Sequence, residues 1–382
     1  MGPLTGLKVV EIGAQGPGPF CAMVLADLGA EVVRVDRPAE VGVPFDDHLL
    51  RRSRTSVAVD LKVPQGADVV LRLVEGADVL IEGFRPGVME RLGLGPEVCQ
   101  ERSPGLVYGR MTGWGQDGPL AQVAGHDINY TAITGALAAI GRPGAGPAIP
   151  LNLISDFGGG GMLLAVGILA ALHARGSTGL GQVVDAAMVD GAATLTGIFY
   201  GLREKGLWTD VPGTNWLDGG THFYDTYETA DGRHVSFGAV EPQFQQALYE
   251  TLGLDPADFA DPGDRTLWPQ RKKRIAEVVR TRTRQEWVEA FDGVDACFAP
   301  VLTLEEAPRH PHYVARGSFV ELDGVTQPAP SPRFDRTPCP APTRAARPGE
   351  HTRQILAGAG FPAGRIEQLL DAGVVAAAPE GA

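Results

Sequence analysis

One pattern near the start of the chain restricts the fold more than any other. Leu7 to Ile12 is an apolar run with strand character, Gly13 to Pro19 is a glycine–proline turn, Phe20 to Leu28 has helical character, and Glu31 to Asp36 is a second strand. Strand, tight turn, helix and strand in that order predict a parallel βαβ unit. The alternation continues. Val57 to Asp60 reads as a third strand, Pro64 to Glu75 as a helix, Asp78 to Glu82 as a fourth strand and Leu106 to Arg110 as a fifth. Repeated alternation predicts an α/β fold with a doubly wound, Rossmann-like sheet.

Further along, helices are predicted from Asp127 to about Ile140 and from near Phe157 to about Arg175. Val183 to Asp185 leads into another helix that runs through Gly201. The pattern then changes. Phe223 to Thr229, the turn Ala230-Asp231-Gly232 and Arg233 to Gly238 read as a β-hairpin. A helix starts at Pro242, since proline is favoured at the first helical position. The expected organisation is a large Rossmann-like domain over 1–186 and a smaller α+β domain over 222–315, with a C-terminal segment over 331–382 returning to the large domain.

Composition removes several function classes. The net charge of −13 is the wrong sign for a general nucleic-acid binder. An anionic small ligand must therefore be met by a local cluster of Arg and Lys. No apolar run reaches the roughly 18 residues of a membrane span; Met162 to His173 is the nearest and reads as a core helix. The N-terminus shows no secretory pattern and the last four residues no address tag, so a cytoplasmic protein is expected. Cys21, Cys99, Cys297 and Cys339 are scattered without paired spacing, which argues against a zinc cage or a disulfide framework. His310 and His312 have no obvious third ligand, so no metal site is expected.

The first turn invites a dinucleotide reading, because Gly16 and Gly18 follow a strand and Asp36 closes the next one. Pro17 and Pro19, however, remove backbone N–H groups that a pyrophosphate would use, and Cys21 stands where a third glycine belongs. The turn is read as a reused scaffold.

Three ionisable residues share one local setting. His126, Asp156 and Glu241 each stand at the predicted start of a helix, where partial positive charge and free N–H groups gather. That setting is expected to depress a carboxylate pKa and keep an imidazole neutral. Simple helix capping accounts for a lone Asp or Glu equally well. The four glycines after Asp156 weaken that explanation there, since each costs about 1 kcal/mol relative to Ala inside a helix. They suggest close approach by a ligand or by neighbouring backbone. Candidates to hold an anion are Arg37, Lys62, Arg85 and Arg91, together with Val59, Gly83 and Phe84 beside them. They lie at or near the C-terminal ends of successive strands, where open α/β sheets bind ligands.

Several segments then occur together in one order: Gly16-Pro17-Gly18-Pro19, Leu25 to Val33, Glu82 to Gly95, Met111 to Gln116, Gly125 to Tyr130, Asn152 to Gly160 and Gly181 to Asp185. In these the chain resembles the class III CoA-transferase family and, within it, is similar to the α-methylacyl-CoA racemases. The resemblance covers about residues 4 to 335. It implies an interlocked homodimer, with linkers over 187–221 and 316–330 passing between chains, in which each site lies between the large domain of one chain and the small domain of the other. It implies an acyl-CoA substrate, with the CoA carried by the substrate and no other cofactor. His126 and Asp156 would be the two bases, Glu241 the carboxylate paired with the histidine, and the backbone N–H of Asp127 an oxyanion donor. Asn152, Tyr130 and Tyr224 match polar residues around the ligand. In the family's transferases the aspartate matching Asp156 is instead a covalent nucleophile, so a CoA-transferase is the alternative; His126 tips the choice, because transferases generally lack it. A non-catalytic CoA-binding protein, motivated by the Arg/Lys cluster alone, is a third.

Overall fold

The computed structural model describes residues 2–43 and 49–379. The reading of Glu380 to Ala382 as carrying no address tag lies outside the described residues. The chain divides into two compact units. One comprises Met1–Thr134, Leu151–Leu195 and His312–Ala382; the other comprises Gly135–Pro150 and Thr196–Pro311.

The larger unit is built on one seven-stranded sheet. Strands β1 (Lys8–Ile12), β2 (Glu31–Asp36), β3 (Thr55–Val59), β4 (Val79–Glu82), β5 (Val107–Thr112) and β6 (Val183–Ala187) are parallel, in the spatial order β3-β2-β1-β4-β5-β6. The C-terminal strand Val375–Ala376 adds antiparallel to β3, with Val375 opposite Val59. Alternating side chains supply two cores, as the period of a strand requires. Val10, Ile12, Val57, Val59 and Leu80 pack on helix α2 (Pro64–Val74) with Leu356, Ile366 and Leu369. Val9, Val32, Val79, Ile81 and Val107 pack on the other face with Cys21 and Leu25 of helix α1 (Pro17–Asp27) and with Leu164 and Ile168. Order reverses between β1 and β4, which is the switch point where such sheets open a crevice at the carboxyl ends of their strands.

Three helix predictions change. Helix α3 runs only from Asp127 to Ile133, because Gly135 takes φ +84° and a separate turn starts at Ala136. The helix expected from Phe157 begins at Leu153 as a ten-residue π-helix, Leu153–Met162, and runs without a break into α4 (Leu163–Thr178). The helix after β6 divides into α5 (Met188–Leu195) and a second segment, Gly197–Glu204. By length and composition the continuous helix Leu153–Thr178 is apolar enough to cross a membrane, contrary to the sequence reading. Here its buried face, Leu164, Ala165, Ile168 and Ala171, covers the large sheet.

The smaller unit has a three-stranded antiparallel sheet of β7 (Tyr224–Glu228), β8 (His234–Gly238) and β9 (Phe298–Pro300). Phe223, Tyr227, Val235, Phe237, Leu248, Ile275 and Trp287 form its core with helix α6 (Pro242–Thr251). His222 is fully buried there and bonds the Tyr249 hydroxyl through Nε2 at 2.9 Å; burial pushes its pKa down to about 3, so it is a neutral core residue.

Candidate active site

His126 and Asp156 come from segments far apart in sequence, and one carboxylate joins them. His126 is the residue immediately before α3; its backbone N–H donates to Asn129 Oδ1 at 3.1 Å, which fixes the start of the helix. Asp127 follows and is only 4% exposed. Its Oδ2 accepts from the backbone N–H of Ser155 at 2.7 Å and of Asp156 at 2.8 Å. Its Oδ1 accepts from the Thr131 hydroxyl at 3.1 Å, and Thr131 also lies 2.6 Å from the Ser155 hydroxyl. The first turn of the π-helix is thus capped by a side chain from the first turn of α3. Hydrogen bonds to an ionised acceptor are about twice as strong as neutral ones, and here they set the position of Asp156 relative to His126.

The glycines explain how the chain packs so tightly here. A Cβ on Gly159 would lie 2.5 Å from the Ala192 nitrogen, and one on Gly191 would lie 1.8 Å from the Gly159 carbonyl. A Cβ on Gly161 would meet the Pro17 carbonyl and the Phe20 ring, both at 2.7 Å. The run after Asp156 therefore answers close backbone approach on two sides, by α5 and by the start of α1. Gly16, at φ +70°, faces the carboxylate from the α1 side: a Cβ there would stand 3.6 Å from Asp156 Oδ2. Gly83, after β4, abuts Ala14, after β1. Asp156 therefore sits beside the loop that leaves β1 at the switch point. Leu151, just before the segment, holds φ +59°, a left-handed conformation that costs an apolar residue about 1–2 kcal/mol.

The Asp156 side chain is not a helix cap. Its Oδ2 accepts from Asn152 Nδ2 at 3.3 Å and the carboxylate is half-buried. Its pKa moves opposite to the sequence expectation. Burial lifts it above the ordinary carboxylate value, the Asn152 hydrogen bond pulls it down, the Asp127 charge lifts it further, and His126 pulls it down. Desolvation outweighs the helix start, because the Ser155 and Asp156 N–H groups are already taken by Asp127. A carboxylate raised in this way is a stronger base, and its acid form is more readily populated. His126 is exposed at the site's edge. Of the four influences on the Asp156 carboxyl, that of His126 is the smallest.

Tyr130 is only 6% exposed. Its hydroxyl donates to the Gly125 carbonyl, its ring crosses Trp114 edge-on at 4.7 Å, and a Cβ on Gly113 would lie 2.3 Å from it. It is a prop beneath the loop that carries His126. Val59 is a fully buried core residue, so its side chain is not available to a ligand. Arg37, Lys62, Gly83, Arg85 and Arg91 are exposed and Phe84 is half-buried; all lie in segments that leave the carboxyl ends of β2, β3 and β4. Arg37 pairs with Glu40 at 2.6 Å and Lys62 donates its backbone N–H to Asp60.

In the smaller unit, Glu241 precedes α6, its side chain makes no capping bond and it is exposed. Tyr224 opens β7 opposite Gly238 and is half-buried. Among the described residues no group of three His, Cys, Asp or Glu side chains gathers as a metal site would. Sequence reasoning missed the Asp127 carboxylate, Thr131 and Ser155, whose partnership spans 28 residues and leaves no local signal.

This geometry has relatives. The model of CoA-transferase family III matches residues 4–352. The chain belongs to CoA-transferase family III. It is 48% identical to the human α-methylacyl-CoA racemase over 96% of both chains, and 47% identical to the mouse α-methylacyl-CoA racemase over 96% of both. Among solved structures of the family, a CAIB/BAIF family protein from Brucella suis superposes with a TM-score of 0.81 at 25% identity, covering 94% of this chain and 99% of that one. Rv3272 from Mycobacterium tuberculosis superposes with a TM-score of 0.78 at 27% identity, covering 93% and 99%.

Proposed function

We propose that this chain interconverts the (2R)- and (2S)-epimers of a 2-methylacyl-CoA by a 1,1-proton transfer, with His126 and Asp156 as the two bases. That it is an enzyme, an isomerase of the α-methylacyl-CoA racemase kind, rests on its near-full-length identity to the human and mouse racemases. The observation that carries the mechanism is the Asp127 carboxylate, which fixes Asp156 against the segment that presents His126.

One base removes the proton from the carbon beside the thioester carbonyl, and the C–H electrons move onto the thioester oxygen as an enolate. The other base, protonated at the outset, gives its proton to the opposite face, and the carbonyl re-forms. The enzyme ends with the proton on the first base and resets by exchange with solvent or by the reverse turnover. An imidazole and a carboxylate both serve, since each accepts in one direction and donates in the other. The Asp127 N–H, one of the donors that a helix start leaves open, stabilises the enolate oxygen. The reaction moves only a proton, so CoA enters as the substrate's handle: Arg37, Lys62, Arg85 and Arg91 hold its phosphates and position the reacting carbon.

From the family resemblance we carry over an interlocked homodimer in which Glu241 and Tyr224 of a second copy complete the site. The apolar residues left exposed on the larger unit support a covering partner: Leu151, Leu153, Met162, Val166 and Leu195 are each 46–70% exposed. Co-refolding Asp156→Ala and Glu241→Ala chains should restore about a quarter of the wild-type activity to the mixture, on binomial pairing with one intact site per mixed dimer. No recovery would remove the shared site. A cytoplasmic location accords with the sequence reading.

The test of the activity is incubation of one epimer in deuterium oxide. Loss of optical activity together with deuterium at the α-carbon is expected, and loss without deuterium would refute proton transfer. A covalent adduct at Asp156 and exchange of the acyl group onto a free acid would instead mark a transferase.

A further inference from the structure

The segment that carries Arg85 and Arg91 leaves β4 and is exposed, yet it is tied down from below by a buried guanidinium. Arg110 lies on β5 with its side chain 9% exposed. Its Nε donates to Glu82 Oε1 at 3.0 Å, and its two terminal nitrogens fork across Glu90, at 2.8 Å to Oε1 and 3.3 Å to Oε2. Glu82 ends β4 with its side chain wholly buried, and its other oxygen accepts from the Phe84 N–H at 2.7 Å. Glu90 sits in the single helical turn Val88–Arg91 and its stem packs on Gly95. Tyr108, two residues before Arg110 on β5, donates to the Leu94 carbonyl at 2.8 Å, and Gln122 donates to the Pro86 carbonyl at 3.2 Å.

Two carboxylates therefore share one guanidinium, and they bracket the segment: one at its root and one within the turn that bears Arg91. An arrangement of this kind is costly to bury. Desolvation pushes the Glu82 pKa up to about 7 despite the Phe84 N–H and Arg110. A charged network with a buried root and one exposed arm, beneath a segment of exposed cations, reads as a device for holding position.

We propose that Arg110, acting through Glu82 and Glu90, is the positioning residue for the CoA-holding segment 83–91. The proposal rests on the reading of Arg85 and Arg91 as CoA contacts. Arg110 does not touch the reacting carbon, so its effect falls on binding. Loosening the fork lets the segment sample more conformations, and the ligand must then order it.

The experiment measures CoA binding by calorimetry and 2-methylacyl-CoA turnover in the full-length protein, for the wild type, Arg85→Ala/Arg91→Ala, Arg110→Gln, Arg110→Lys and Glu90→Ala. The double variant should weaken CoA binding. Arg110→Gln and Glu90→Ala should each raise Kd and KM about tenfold with kcat within about twofold, since a lost tether costs preorganisation and leaves the reacting groups in place. Arg110→Lys, which keeps a charge for one carboxylate but no fork across two, should fall between Arg110→Gln and wild type. Glu90 is 44% exposed, so Glu90→Ala decides the matter if Arg110→Gln fails to fold. A weakened double variant with unchanged Kd in Glu90→Ala and Arg110→Gln would overturn the proposal and leave the CoA reading standing. A fall in kcat at constant KM would also overturn it. Unchanged binding in the double variant would overturn the CoA reading, and the proposal with it.

Discussion

Two regions of the larger unit are built on opposite principles. Around Asp156, position is set by buried groups: a 4%-exposed carboxylate holds two backbone N–H groups, and paired glycines let three helices meet at backbone distance. Along the carboxyl ends of β2, β3 and β4, the cations are exposed, and Arg37 is already engaged with Glu40. The first region is held by buried hydrogen bonds and by backbone packed on backbone. The second has charge in the right neighbourhood and gains its geometry from the segments beneath it. Proton transfer needs bases placed within a fraction of an ångström of the reacting carbon, whereas phosphate recognition tolerates a looser fit spread over several contacts.

That contrast can be broken or sharpened by substitution. The largest effect is expected for Asp156→Ala, with kcat down by about 10³-fold or more and KM little changed, because one of two bases is gone; steady-state kinetics with a single epimer checks it. Asp127→Ala should come next, at about 10²-fold in kcat, because it frees the Asp156 backbone. It should also lower Tm, since two N–H groups lose their acceptor at about 1–3 kcal/mol each. A Tm loss with full kcat would show that the Asp127 carboxylate is structural only. Removing exposed cations should act on KM instead, by about tenfold for the Arg85/Arg91 pair, and the effect should shrink at high salt. Arg37→Ala should change KM by less than about threefold, because its side chain is 81% exposed and already paired with Glu40.

The smallest effect is on stability. The Asp156 pKa is raised in the folded protein, so the fold binds that proton more tightly than the unfolded chain does. Its ionisation therefore costs stability as pH rises from the ordinary value of 3.8 through the raised one. Asp156→Asn should raise Tm slightly at neutral pH while abolishing turnover, and the gain should vanish at acid pH. Activity carried by the ionised carboxylate should fall as pH drops through the raised value.

The sheet was legible because its strands are apolar runs separated by glycine turns, and β2 falls at Glu31–Asp36 as read. The register of the segment that carries Asp156 was not. Asp is a common residue just before a helix, so Asp156 sets the expected start at Phe157, four residues after the true one; close packing against Gly191 and Pro17 sustains a π-helix from Leu153. The same long-range packing buried Asp156 enough to reverse the expected pKa shift. The Arg110 network does leave a signal in the sequence: a charged residue inside an otherwise buried strand must find a partner, and both Glu82 and Arg110 stand in such strands. Asp127 gave none, since its carboxylate works on a turn 28 residues away.

The measurement that tests the central claim most directly separates the two faces of the α-carbon. His126→Ala and Asp156→Ala proteins are each incubated in deuterium oxide with the pure (2R)- and the pure (2S)-epimer, and α-deuterium is followed by NMR. If the two side chains serve opposite faces, neither variant racemises, and each exchanges the α-proton of one epimer only, the two variants choosing opposite epimers. Exchange of the same epimer by both variants, or of both epimers by either, would contradict the account.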